Sequence, residues 1–385
     1  MKIVFFSNFI DHHTAPLCSE LYRLTNGDFV YVELTEMPDT FKKSGYPDFS
    51  TLPFILPVWK NKVYKKRAVE LCKSADVALF NGYLTNTYAN IRAKEGKISF
   101  DLSERLLKQG ILNVLSPGAL RYLWCYYTCF KKAPFYKLCK GAYGATDQYR
   151  LHTYHDKCYN WAYFSAIPMW DGVKPINITR QERTCRIMWC SRFIDWKHPE
   201  LMIKLGKSLK DKGYSIKIDM YGSGKLLKKT RETCESLGLG DVISFLGNIP
   251  NSELMLQMRQ HNIFVLTSDK QEGWGVVANE AMSNGCVFVG SDEAGSVPSL
   301  VRDKINGCIF KANDFDSLER TVLWIINHPE EFPVIAKKAY ETMSEVWSPR
   351  VGACRLLKLI DSLQKGEDTP FVSGPCSKQY PIVAQ

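Results

Sequence analysis

The sequence predicts an α/β protein built from two doubly wound parallel sheets, and three observations lead there. Short apolar runs rich in β-branched residues, such as Val77-Ala78-Leu79-Phe80 and Phe264-Val265-Leu266-Thr267, alternate with segments of helical period along most of the chain. Each run is apolar throughout and bounded by turn formers, the pattern of strands buried on both faces. At 385 residues the chain exceeds the usual span of one core, so two domains are expected.

In the first half, residues 2–6 read as a strand. A loop from Ser7 to Pro16 leads into a helix carrying Leu17, Leu21 and Leu24, and Phe29 to Val32 is the next strand. Pro38, Pro47, Pro53 and Pro57 punctuate a stretch read as loop. Lys65 to Lys73 is helical, Val77 to Phe80 a strand, Lys97 to Asp101 a strand and Ser103 to Lys108 a helix. Residues 119–140 read as helix, and Tyr159 to Ser165 closes a first domain over residues 1–168. Met169 to Arg183 has no periodicity and reads as a linker.

The second domain, residues 183–347, alternates more cleanly. Strands are expected at Ile187 to Cys190, Ile216 to Tyr221 and Val242 to Leu246, separated by helices Pro199 to Lys212 and Lys225 to Leu237. Helix Asn251 to Gln260 precedes a strand at Phe264 to Thr267, a glycine turn, a short helix ended by Gly285, and a strand at Cys286 to Gly290. Amphipathic helices follow at Leu318 to Ile326 and Phe332 to Val346, and a last helix occupies 348–365. The remainder, 366–385, reads as a poorly ordered tail.

Composition narrows the function classes. Hydrophobic content of 45% and 12% aromatics describe a globular chain. Thirteen cysteines without a C-x-x-C pair argue against a disulfide framework or a zinc site and suit a reducing cytoplasm. The opening apolar run is cut short by Asn8, Asp11, His12 and His13, too early for a signal peptide, and no stretch approaches the roughly 18–20 apolar residues of a membrane span. Charge is uneven: residues 1–165 hold 22 Lys and Arg against 14 Asp and Glu, and the rest 28 against 26.

Chemistry concentrates around Glu272-Gly273-Trp274-Gly275-Val276, which turns a strand into a helix, and Glu280 within that helix. A helix N-terminus at the carboxyl edge of a parallel sheet favours a phosphate. Eight residues of helix cover about 12 Å, so the two carboxylates are placed to grip two parts of one ligand. Alone, they read equally well as solvated helix charges.

This stretch resembles the E-x7-E motif of the retaining glycosyltransferases of family 4, also called glycosyl transferases group 1, which have the GT-B fold of two Rossmann-like domains facing an interdomain cleft. The resemblance implies that Glu272 contacts hydroxyls of the transferred sugar and Glu280 the ribose of the nucleotide. Backbone N–H groups of Gly273 to Val276 would hold the diphosphate. Ser191-Arg192-Phe193-Ile194-Asp195-Trp196-Lys197 is similar to the segment whose Arg and Lys neutralise that diphosphate, with Ser191 where the family often has Gly. Gly222, in Tyr221-Gly-Ser-Gly224, and Gly247, in Phe245-Leu-Gly247, look like the family's turns beside the donor. The likeness is strongest over residues 183–347, and it implies that the last helix crosses back to the first domain.

His12 and His13 follow the first strand and could touch donor sugar or acceptor; a structural role is an equal reading. Asn81-Gly82 and Ser103-Glu104-Arg105 stand at strand ends and are candidates to line an acceptor site. His152, His155 and Cys158 lack a fourth ligand, no D-x-D pair is found, and no metal or other cofactor is expected. Leu123 to Tyr143 interleaves aromatics with Lys131, Lys132, Lys137 and Lys140, and Lys60 to Arg67 forms a second basic cluster. These read either as contact with an anionic membrane or as a buried aromatic face with solvated lysines; no nucleic-acid motif accompanies them.

The expectation is a retaining, metal-independent transferase moving a sugar from a nucleoside diphosphate to a glycan or lipid-linked acceptor at the inner face of the plasma membrane, in capsule or O-antigen assembly. The rival readings are a non-catalytic sugar-binding subunit of the same fold, a sugar-nucleotide epimerase and a phosphorylase. For the last, no pyridoxal lysine motif is present.

Overall fold

The computed structural model describes residues 1–43, 45–169 and 184–382. The expected linker therefore lies, apart from Met169, outside the described residues. The chain divides into two compact units, Met1–Ala166 with Val346–Gln385, and Ile167–Glu345.

The first unit holds a seven-stranded sheet of β1 (Ile3–Ser7), β2 (Phe29–Glu33), β3 (Ile55–Pro57), β4 (Val77–Asn81), β5 (Ser99–Glu104), β6 (Phe135–Lys140) and β7 (Cys158–Trp161), in the order β3-β2-β1-β4-β5-β6-β7. All pairings are parallel, with Phe5 opposite Tyr31 on one side and Leu79 on the other. Two expectations are corrected here. The strand from Ser99 runs on to Glu104, so no helix occupies Ser103 to Lys108. The helix expected over 119–140 covers only Pro117–Cys125 and a π-turn at Tyr126–Phe130, after which β6 begins. The lysines of β6 hid it, because charges inside a buried strand break the apolar signature.

The tail is the third correction. Residues 366–382 are ordered because β7 is the sheet's open edge, and an unpaired edge strand leaves backbone donors and acceptors unsatisfied. Asn160 N donates to Ser377 O (2.8 Å), Cys376 N to Asn160 O (2.8 Å) and Gln379 N to Cys158 O (2.9 Å), in an antiparallel bridge. The buried Gln379 side chain donates to Gly141 O and accepts from Ala145 N. The helix Pro349–Gln364 packs on the first helix, Ala15–Leu24, and so belongs to the first unit.

The second unit holds six parallel strands, β8 (Cys185–Cys190), β9 (Ile216–Tyr221), β10 (Ile243–Gly247), β11 (Ile263–Leu266), β12 (Val287–Ser291) and β13 (Cys308–Phe310), in the order β10-β9-β8-β11-β12-β13. Its core joins Ile187, Trp189, Ile218, Met220, Val265 and Val289 to Leu205 and Leu209 of the helix Glu200–Asp211 and Val322 and Ile325 of Phe315–Asn327. Strand order reverses between β8 and β11, and a crevice at such a switch point is where doubly wound sheets take ligands.

Candidate functional site

The switch point of the second sheet brings together the loops after β8 and β11. Asp269 N donates to Trp196 O (3.0 Å), and the buried Thr267 hydroxyl accepts from Trp189 Nε1 (2.8 Å) while donating to Lys197 O. Fixed in this way, the Lys197 ammonium pairs with the Glu272 carboxylate, which also accepts from Ser268 Oγ (3.1 Å). Residues 75 apart in sequence are thus one charged unit, and neither side chain is free to swing through solvent. Arg192 stands exposed at the start of the same loop, its guanidinium 5.7 Å from the Trp196 ring centre and in no ion pair among the described residues.

The glycines of this edge serve the approach of one loop to another. Gly222 (φ +127°) lies where a Cβ would stand 1.9 Å from Ser191 O, and a Cβ on Gly295 would stand 1.9 Å from Gly273 O. Gly222 therefore packs the turn after β9 against the Arg192 loop. Gly247 O accepts from Gly222 N (2.7 Å), and no atom comes within 4 Å of the Cβ that Gly247 lacks.

The Trp274 side chain is fully buried, its Nε1 donating to Asn279 Oδ1 (2.7 Å), so this residue can meet a ligand through its backbone alone. The helix after the turn spans only Val277–Ser283, so its dipole is small. Glu280 is buried in that helix and accepts from Asn251 Nδ2 (2.9 Å). Burial lifts its carboxyl to about 7, against the pull of the Asn251 bond.

At the carboxyl edge of the first sheet, the ends of four adjoining strands carry a connected polar chain. Asn81 of β4 donates to Ser7 Oγ of β1 (2.9 Å) and accepts from Lys140 Nζ of β6 (3.0 Å). Lys140 lies over the Tyr163 ring at 4.4 Å, and Tyr163 donates to Glu104 at the end of β5 (2.9 Å). Burial lowers the Lys140 ammonium, opposed by Glu104 and Asp11. His13 Nδ1 meets Ser165 Oγ at 2.9 Å, and the two histidine rings lie 3.8 Å apart. Burial, with the neighbouring His12 charge, holds His13 down at about 4, so it is neutral at pH 7. His12 is lowered too, by burial, and its Nδ1 has no hydrogen-bond partner among the described residues.

The sequence singles out Asn81, Glu104 and His13 here; Lys140 reads as a possible membrane-contacting cation because β6 reads as helix, and nothing local marks Tyr163, which follows β7. Lys137 and Lys140 are buried, not lipid-facing: Lys137 pairs with Asp101 at 2.6 Å. Of the other metal-ligand types noted, His155 pairs with exposed Asp156 and Cys158 Sγ faces Tyr154 O, so they do not converge.

Residues 178–342 match the family model described as glycosyl transferases group 1. The match falls on the second unit, whose sheet and switch point carry the Lys197–Glu272 pair. The amylovoran biosynthesis glycosyltransferase AmsK of Erwinia amylovora is 21% identical over 183 residues, 46% of this chain and 45% of AmsK. The poly(glycerol-phosphate) alpha-glucosyltransferase of Bacillus subtilis is 25% identical over 132 residues, 34% of this chain and 19% of that protein. The matched stretch thus spans less than half the length of these curated relatives. Anabaena Alr3699/HepE in complex with UDP superposes with a TM-score of 0.69 at 15% identity, over 95% of this chain and all of that one. At that identity the likeness shows the fold, two Rossmann-like α/β domains of the GT-B kind. It extends that fold to the first unit, which the family model does not reach.

Proposed function

We propose that the chain is a retaining glycosyltransferase that moves a hexose from a nucleoside diphosphate to the hydroxyl of a glycan or lipid-linked acceptor, in surface polysaccharide synthesis. The observation that carries this reading is the Lys197–Glu272 pair at the switch point of the second sheet, with the exposed Arg192 guanidinium in the same loop. A departing diphosphate gains negative charge as the glycosidic C–O bond breaks, and cations fixed before reaction stabilise it without reorganisation. Lys197 and Arg192 take that role. Ser268 and Lys197 orient Glu272 so that its second oxygen can accept from sugar hydroxyls. Glu280, largely protonated below pH 7, suits the ribose hydroxyls.

In the proposed reaction the acceptor oxygen attacks the anomeric carbon on the face that the diphosphate leaves, and a phosphate oxygen takes the acceptor's proton. The basic side chains do what a metal ion does in other nucleotide-sugar enzymes, so no metal is required. The first sheet's polar edge, Asn81, Glu104, Lys140 and Tyr163 with His13, is assigned to acceptor binding. The relatives' names point to surface polymers, and a basic first half suits work at an anionic membrane, on its inner face.

The test is a thermal-shift screen of UDP-, GDP- and ADP-sugars, with UDP first because HepE is bound to it, followed by nucleotide-release assays with and without acceptor. A ligand that raises stability in the wild type and not in Lys197→Met supports the reading. Conversion of the sugar nucleotide to an epimer with no acceptor present would favour an epimerase.

A further inference from the structure

Between Glu104 and Asp147 the sequence contains seven Lys and Arg and not one Asp or Glu. The structure sorts these cations into two sets. Arg105, Lys108, Lys137 and Lys140 are occupied, by Asp147, Glu104, Asp101 and Asn81 respectively. Arg121, Lys131 and Lys132 are exposed and have no carboxylate partner among the described residues.

The same segment exposes large apolar side chains. In the turn Ile111–Leu115, Ile111, Leu112 and Leu115 project, Leu112 with 75% of its surface accessible. The turn runs straight into the helix Pro117–Cys125, capped by Ser116 Oγ on Ala119 N. Leu120, Trp124 and Tyr127 then recur at i, i+4 and i+7 on one outward stripe, and Trp124 is 63% exposed. Ala119, Cys125, Tyr126 and Phe130 take the inward face. Lys131 continues the stripe by one more turn, its ammonium 5.5 Å from the Tyr127 ring centre. A soluble surface scatters such residues singly; a contiguous set marks an interaction site.

We infer that the segment from Ile111 to Lys132 is the surface by which this chain sits on a bilayer of anionic lipids, Leu112, Leu115, Leu120 and Trp124 entering the acyl boundary and Arg121, Lys131 and Lys132 lying among the headgroups. The composition singles out this occupant. A second copy would bring the same uncompensated cations against these. A nucleic acid would leave the aliphatic side chains in water. A lipid surface satisfies both sets at once, with tryptophan and tyrosine at the depth they favour. The inference rests on the proposed lipid-linked acceptor only for its purpose; the surface stands on the exposure and charge of these residues.

The full chain is sedimented with vesicles of phosphatidylglycerol and phosphatidylethanolamine, or of phosphatidylcholine alone, at low and molar salt. Each variant's thermal shift with UDP is read in parallel, so that failure of the surface and failure of the transferase reading are told apart. Wild type is expected to partition onto the anionic vesicles only. Leu112→Asp with Trp124→Asp should lose about a hundredfold of that partitioning at low salt, and both side chains are exposed, so the fold does not need them. Lys131→Glu with Lys132→Glu should lose about tenfold or more at low salt. Variants that sediment like wild type, a wild type left in the supernatant, or a dimer in free solution that Trp124→Asp dissociates would overturn the inference.

Discussion

The two sheets carry their polar edges in different ways. In the second, the charged groups come from two loops that the chain supplies whole, Ser191 to Lys197 and Thr267 to Val276, and the pairing of Lys197 with Glu272 joins them. In the first, each strand end contributes one residue, Ser7, Asn81, Glu104 or Lys140, and only the register of β1, β4, β5 and β6 assembles them. A site built from loops keeps its signature as a motif. A site built from strand ends leaves no motif, because the spacing between its members is set by intervening helices.

The sharpest break in that comparison is chemical. Lys197→Met should lower kcat about 10²–10³-fold, the effect of removing one group aimed at developing charge, while the circular dichroism stays that of wild type. Lys140→Met should act on the acceptor side only, weakening transfer about tenfold with the UDP-sugar dissociation constant unchanged. Equal losses in nucleotide affinity from both variants would mean that the two edges do not divide donor from acceptor.

Next in size is a pH effect of opposite sign in the two units. The Glu280 carboxyl titrates at about 7 when folded, above its ordinary 4.5, so its contribution to stability is complete below 4.5 and is lost as pH rises through about 7. The shift corresponds to about 3 kcal/mol, and Glu280→Gln should abolish it, the variant gaining stability over wild type at pH 8 and not at pH 4.5. His13 runs the other way. Depressed to about 4 from 6.5, its contribution is complete above 6.5 and is lost as pH falls through about 4. His13→Gln should flatten the acid limb of a denaturation series.

Removal of residues 366–385 should destabilise the first unit by about 3 kcal/mol, since three backbone bonds to β7 and the buried contacts of Gln379 go together. It should leave the second unit's response to UDP intact. A truncated chain with unchanged melting would show that the edge of β7 needs no cover.

Legibility followed the same divide. In the second unit the strand Ile216–Tyr221 is read to the residue, because Ile216, Ile218 and Met220 keep its apolar face despite Lys217 and Asp219, and four others are read within a residue or two; the short β13, Cys308–Phe310, is not read as a strand. Resemblance to a family motif singles out Glu272, Glu280, Arg192 and Lys197, of which Lys197 and Glu272 are brought into contact, while the burial of Trp274 leaves no sign in a glycine-flanked turn. In the first unit, β6 was lost to the two lysines whose partners, Asp101 and Asn81, are distant in sequence. The tail's glycine, proline and charged residues describe a free end; the reason for its order is the edge of β7, which no local pattern reveals.

The central claim is that a nucleoside diphosphate is held by the cations of the second sheet's switch point. Isothermal titration of UDP into the full chain measures it directly, in wild type and in Arg192→Ala with Lys197→Met. The account predicts a single site in wild type whose affinity falls about a hundredfold or more in the double variant. Equal heats from both proteins, or no heat from wild type with UDP, GDP or ADP, would contradict it.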